Sequence, residues 1–148
     1  MQTFEVFYES NIIKDITKDI VSKLHLCSPE EINKGECMVW ALYAQSLHPE
    51  MELFQVYEPW SDGDDSGANG HVFVKWRGKY YDAMHPDGTD LDTLLKPMGY
   101  NKSQVHRTTK DQIDDEWGVN LDGAFKRFSS ERGSYWQNRN PTTGRLNQ

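Results

Sequence analysis

Three residues in this chain have the types that a nucleophilic acyl-transfer centre requires: Cys37, His71 and Asp82. A thiol must lose its proton to attack a carbonyl, an imidazole takes that proton, and a carboxylate holds the imidazole in the tautomer able to do so. Cys37 follows Gly35-Glu36 and opens a run of good helix formers, Met-Val-Trp-Ala-Leu-Tyr-Ala-Gln-Ser-Leu. A helix starting there sets the sulfur beside unpaired backbone N–H groups and the positive end of the macrodipole, which favours the thiolate. Ala41 and Ala44 lie one and two turns further on roughly the same face, so a sheet can approach closely on the cysteine side. The plainer alternative makes Cys37 a small apolar residue of the core.

A hairpin ties the other two together. Arg77-Gly78 reads as a two-residue turn between the strand-like runs His71–Trp76 and Lys79–Met84, because glycine tolerates positive φ. Trp76 then pairs with Lys79, Phe73 faces Asp82 and His71 faces Met84. Asp82 and His71 share one face as diagonal neighbours, about 7–8 Å apart at the backbone, a gap an imidazole can bridge. A three-residue turn would send Asp82 to the other face. Taken singly, a strand-end histidine and a turn-proximal aspartate are ordinary surface residues. For an oxyanion, the candidate donors are the Cys37 backbone N–H and the side chain of Asn33, four positions earlier.

The elements that must position these groups follow from periodicity and punctuation. Thr3 to Tyr8, aromatic and β-branched, reads as a short strand. Ile12, Ile13, Ile16, Ile20 and Leu24 recur at helical spacing and predict a helix over Ser10–His25. Ser28-Pro29-Glu30-Glu31 has the order of a capped helical turn, which Gly35 interrupts before a helix over Glu36–Leu47 that His48-Pro49 ends. Met51–Tyr57 reads as a strand, 61–70 as a polar surface loop, and Asp90–Leu95, Thr109–Trp117 and Leu121–Ser130 as short helices; the tail from about 141 is expected to be loose. The sum is a single α+β domain over 1–148, with helices packed on an antiparallel sheet whose central members are Met51–Tyr57, His71–Trp76 and Lys79–Met84.

Composition narrows the function classes. The net charge of -7 argues against general binding of nucleic acid, which draws its affinity from clustered Lys and Arg. Tyr57, Trp60, Tyr80, Trp117 and Trp136 are read as core or cleft walls in place of a base-stacking platform. No stretch approaches the roughly 20 apolar residues of a spanning helix, and the N-terminus lacks a signal-peptide pattern, so a cytoplasmic location is expected. Cys27 and Cys37 do not make a disulfide framework, which leaves reduced thiols. His71, Asp82, His85 and Asp87 match no diagnostic metal spacing, and Asp62, Asp64 and Asp65 lack the closing glutamate of a calcium loop. Neither metal nor cofactor is expected.

The segments Gly35-Glu36-Cys37-Met38-Val39-Trp40-Ala41 and Gly70-His71-Val72-Phe73-Val74-Lys75-Trp76-Arg77-Gly78-Lys79-Tyr80-Tyr81-Asp82-Ala83 resemble the papain-like cysteine superfamily, in particular its transglutaminase-like branch. The pattern is a cysteine opening a helix, a histidine opening a strand, and an aspartate ending the next strand after an aromatic pair; it covers roughly residues 28 to 90. The resemblance implies Cys37 as nucleophile, His71 as general base and acid, Asp82 as orienting acid, and a protein or peptide substrate. Glu31 stands where papain-type proteases place an oxyanion-donating glutamine, which moves the expected reaction from proteolysis toward amine transfer or deamidation. The competing expectation is a non-catalytic modulator or inhibitor that keeps the scaffold for protein binding.

Overall fold

A computed structural model of the chain describes residues 4–26, 28–58 and 69–130. The expected loop residues 61–68, Cys27, Trp60, Trp136 and the tail from 141 lie outside them. Among the described residues the fold is α+β, built on one antiparallel sheet.

Helix α1 spans Phe4–Leu24. Its stripe of Ile13, Ile16, Ile20 and Leu24 is fully buried, at the spacing the sequence displays. The strand expected over Thr3–Tyr8 is instead the first turns of this helix from Phe4 onward. Extending a helix already nucleated by its apolar stripe adds a hydrogen bond per residue, whereas a short strand needs a neighbour to pair with. The added turns are anchored: Glu9 is buried and accepts from the Tyr81 hydroxyl at 2.9 Å and from Arg77 at 3.4 Å, and the Ser10 hydroxyl donates to Asp87 at 2.6 Å.

Helix α2 is the short Pro29–Glu31 turn, with Ser28 in the extended N-cap conformation but without the expected side-chain cap bond. Gly35 does not break the chain's helical course. A π-helical turn over Ile32–Glu36 carries it directly into helix α3, Cys37–Leu47. Gly35 meets nothing within 4 Å of where a Cβ would stand, so the turn passes through it in open space.

Strand β1 covers Glu52–Glu58, β2 Asn69–Trp76, β3 Lys79–Tyr81 and β4 Val105–Thr108, in the spatial order β3-β2-β1-β4. Asn69 and Gly70, expected in the loop, already belong to β2, opposite Glu58 and Tyr57. The Lys79 strand is an edge, not a central member, and it ends at Tyr81 instead of Met84. Backbone bonds between Tyr80 and Thr89, at 2.9 and 3.0 Å, cover part of that edge. Strand β4 has only one buried residue in four and no clear alternation, which is why periodicity did not reveal it.

The two faces of the sheet are dressed unequally. Leu53, Val72, Val74, Trp76 and Tyr81 join the helical stripes of α1 and α3 in the larger core. Ile113 of helix α5 (Lys110–Trp117) and Ala124 of helix α6 (Leu121–Ser130) complete it. The alternate residues Phe54, Val56, Phe73 and Tyr80 pack with Leu94 and Leu95 of helix α4, Leu91–Leu95. Tyr80 and Trp117 are thus partly buried core walls, as their type suggests. No helix of the described residues is long and apolar enough to cross a membrane.

Candidate active site

The hairpin turn has the geometry its sequence implies. Arg77 and Gly78 take φ values of 52° and 80°, the paired left-handed conformation of a two-residue type I′ turn, and Trp76 pairs with Lys79. That register sets Val74 against Tyr81, so Asp82 emerges from the ladder on the face of Phe73 and His71. Asp82 then leaves the sheet. Its Oδ1 accepts from the Met84 backbone N–H at 3.0 Å and its carbonyl accepts from the His85 N–H at 3.1 Å, so the carboxylate organises a turn in place of the three further strand residues expected, Asp82 to Met84.

His71 Nε2 meets Asp82 Oδ2 at 2.8 Å, and both residues are 1% exposed. An ionised carboxylate only accepts, so Nε2 carries the hydrogen and Nδ1 is the nitrogen with a free lone pair when the ring is neutral. The His71 ring also stacks on Phe73, with centroids 5.8 Å apart, which limits its rotation. Burial alone would push the imidazole toward its neutral form, but the hydrogen bond to Asp82 and the proximity of Cys37, with the charges of both, outweigh it and raise the His71 pKa to about 9. For Asp82, burial pushes upward, and the bonds from His71 and His85 overcome it and hold the carboxyl well below the usual range.

Cys37 carries a free thiol, is 9% exposed and belongs to the larger core. It acts on His71, yet Nδ1 of that ring is buried and has no partner of ordinary hydrogen-bond geometry. Contacts between a nucleophile and its base are often long or poorly aligned before substrate binds. The three residues singled out in the sequence are therefore brought to one place, where β2 begins and β3 ends. The approach to Cys37 differs from expectation: the helical run begins back at Pro29, so α3 has no free N-terminal turn at the cysteine.

Asn33 lies in the π-helical turn, and its Nδ2 donates to Asp82 Oδ2 at 3.2 Å. One of the two N–H bonds expected for an oxyanion is thus directed at the orienting acid. A residue the chemical reading set aside completes the cluster: His85 Nδ1 donates to Asp82 Oδ1 at 2.7 Å. Its position three residues after Asp82, at the return of a turn, was the available signal. A groove of about 750 Å³ lies elsewhere, lined by Leu42, Gln45, Asp111, Asp114 and Asp122 among others, and includes none of Cys37, His71 and Asp82. Among the described residues no group of three or more His, Cys, Asp or Glu is arranged to hold a metal ion.

Comparison with protein-family models, with curated proteins and with solved structures found no match to this chain.

Proposed function

We propose that this chain is a cysteine-nucleophile hydrolase or acyltransferase of the transglutaminase-like kind, acting on an amide or ester of a protein or peptide. The observation that carries the reading is the buried 2.8 Å bond that commits His71 Nε2 to Asp82 while Nδ1 is left without a partner beside Cys37. His71 Nδ1 takes the thiol proton and the Cys37 sulfur attacks the carbonyl carbon, forming an S–C bond. The C–N or C–O bond breaks as the leaving group takes the proton back from His71, and a thioester remains. Water or an amine then attacks the thioester, gives its proton to His71 and releases the thiol. Hydrolysis, deamidation and amine transfer differ only in which leaving group and acceptor are used.

The burial of Cys37 favours a second reading, a protein-binding modulator in which the cysteine is a packing residue. Iodoacetamide labelling of Cys37 separates the two, with Cys27→Ser throughout so that one thiol reports. An enzyme predicts labelling of the native fold that His71→Ala slows by about tenfold or more near pH 7. Slow labelling that ignores the His71 change would leave the modulator.

A further inference from the structure

Asp82 has two oxygens and serves two imidazoles. Oδ2 accepts from His71 Nε2 at 2.8 Å and from Asn33 at 3.2 Å; Oδ1 accepts from His85 Nδ1 at 2.7 Å and from the Met84 N–H at 3.0 Å. All of the carboxylate's accepting directions are occupied, so its plane is fixed from both sides. His85 differs from His71 in exposure: its side chain retains 23% of its surface, against none for His71. Solvent protons therefore reach the outer ring while the inner one is enclosed. From these contacts we infer that His85 is a positioning residue: it holds the second oxygen of Asp82 and, by its own charge, sets how firmly that carboxylate supports the imidazolium of His71. This rests on the proposed thiol chemistry, because the support matters only if His71 exchanges a proton with Cys37.

The groups that act on the pair come from several elements. Cys37 of α3 and Asp82 act on His71, and Asp82 and His71 act on His85. Asn33 of the π-helical turn adds a neutral donor, and Asp87, on the same turn as His85, is engaged by Ser10 of α1. With His85 neutral, Asp82 has one cationic partner, and His71 keeps its proton when the thiol gives one up. With His85 protonated, a second cation shares the carboxylate, so the His71 imidazolium is supported less while the added positive charge favours the thiolate. Acidification thus reaches the nucleophile through His85 while His71 stays enclosed. Coupling between two sites is reciprocal, so removing the His71 cation must raise the affinity of His85 for its own proton.

Two measurements on the full chain test this, again with Cys27→Ser. In the first, the His85 ring nitrogens are followed by NMR across pH in the native protein and in His71→Gln. The His85 midpoint is expected to rise in His71→Gln; an unmoved midpoint overturns the coupling. In the second, the pH profile of Cys37 labelling by iodoacetamide is compared between native protein and His85→Asn, which retains an N–H donor toward Asp82 but carries no charge. The acid limb is expected to move to higher pH by about one unit, because the second cation that favours the thiolate is gone, so that His85→Asn labels about tenfold slower than native on that limb, with the ratio rising toward one as pH rises. His85→Ala, which removes the donor as well, should label more slowly than His85→Asn across the range. If His71→Gln abolishes fast labelling but the acid limb of His85→Asn does not move, the role given to His85 is wrong and the thiol chemistry stands. If labelling ignores His71 while the NMR midpoint moves, the imidazoles are coupled but the thiol chemistry fails.

Discussion

His71 and Asp82 are joined by a 2.8 Å bond between Nε2 and Oδ2, although the β2–β3 ladder ends one residue before the aspartate. The bond forms at the place where Asp82 turns the chain out of the sheet, so one carboxylate both terminates a strand and fixes a ring. Replacing it tests both roles. Asp82→Asn removes the charge that holds the His71 proton and is expected to lower the His71 midpoint in an NMR titration. It should also slow Cys37 labelling by more than tenfold near pH 7 and destabilise the fold by about 3–5 kcal/mol, the usual cost of breaking a buried pair. Retained fast labelling in a folded Asp82→Asn protein would remove the carboxylate from the proposed chemistry.

Stability should depend on pH through the same pair. The His71 pKa is raised from 6.5 to about 9 in the fold, so its contribution is fully present below about 6.5 and is lost as pH rises through 9. Asp82 is depressed from 3.8, so its contribution is present above that value and is lost only at strongly acid pH. Together they predict a broad maximum between about pH 4 and 6.5, with a fall on the alkaline side of at most about 3 kcal/mol. Urea unfolding across this range measures it. His71→Gln should flatten the alkaline fall, and an equally steep fall in that variant would assign the effect to other groups.

Asn33 supplies one of four donors to Asp82, so its loss should be milder. Asn33→Ala is expected to cost about 1 kcal/mol in urea unfolding and to move the His71 midpoint slightly upward, since the carboxylate then concentrates its charge on fewer partners. If instead the midpoint is unmoved and turnover falls once a substrate is in hand, Asn33 serves the oxyanion and its bond to Asp82 is incidental.

Gly70 precedes His71 and pairs with Tyr57, and a Cβ there would stand 2.7 Å from the Val56 carbonyl oxygen. The obstacle is backbone, which cannot swing aside as a flexible side chain would. Gly70→Ala is expected to cost about 1–3 kcal/mol and to displace the start of β2, slowing Cys37 labelling through its effect on His71. A variant as stable and as reactive as native would show that β1 and β2 can separate there without consequence.

The local part of this site was legible in the residues themselves. Arg77-Gly78 defines a two-residue turn, a two-residue turn defines the register, and the period of two then places Asp82 on the face of His71. The buried stripe of α1 and the helix carrying Cys37 followed from spacing for the same reason: neighbours along the chain settle them. What depends on distant partners was not legible. Val105–Thr108 becomes a strand because β1 offers an unpaired edge, and the residues from Phe4 become helix because α1 extends over Glu9 and Ser10 to reach Tyr81 and Asp87. The π-helical turn that brings Asn33 to Asp82, 49 positions away, has no signature in a pattern of types. The burial of Cys37 likewise belongs to packing. Turn chemistry and periodicity are set within a few residues, whereas which donors converge on one carboxylate, and how deeply, is set only when separate elements close around it.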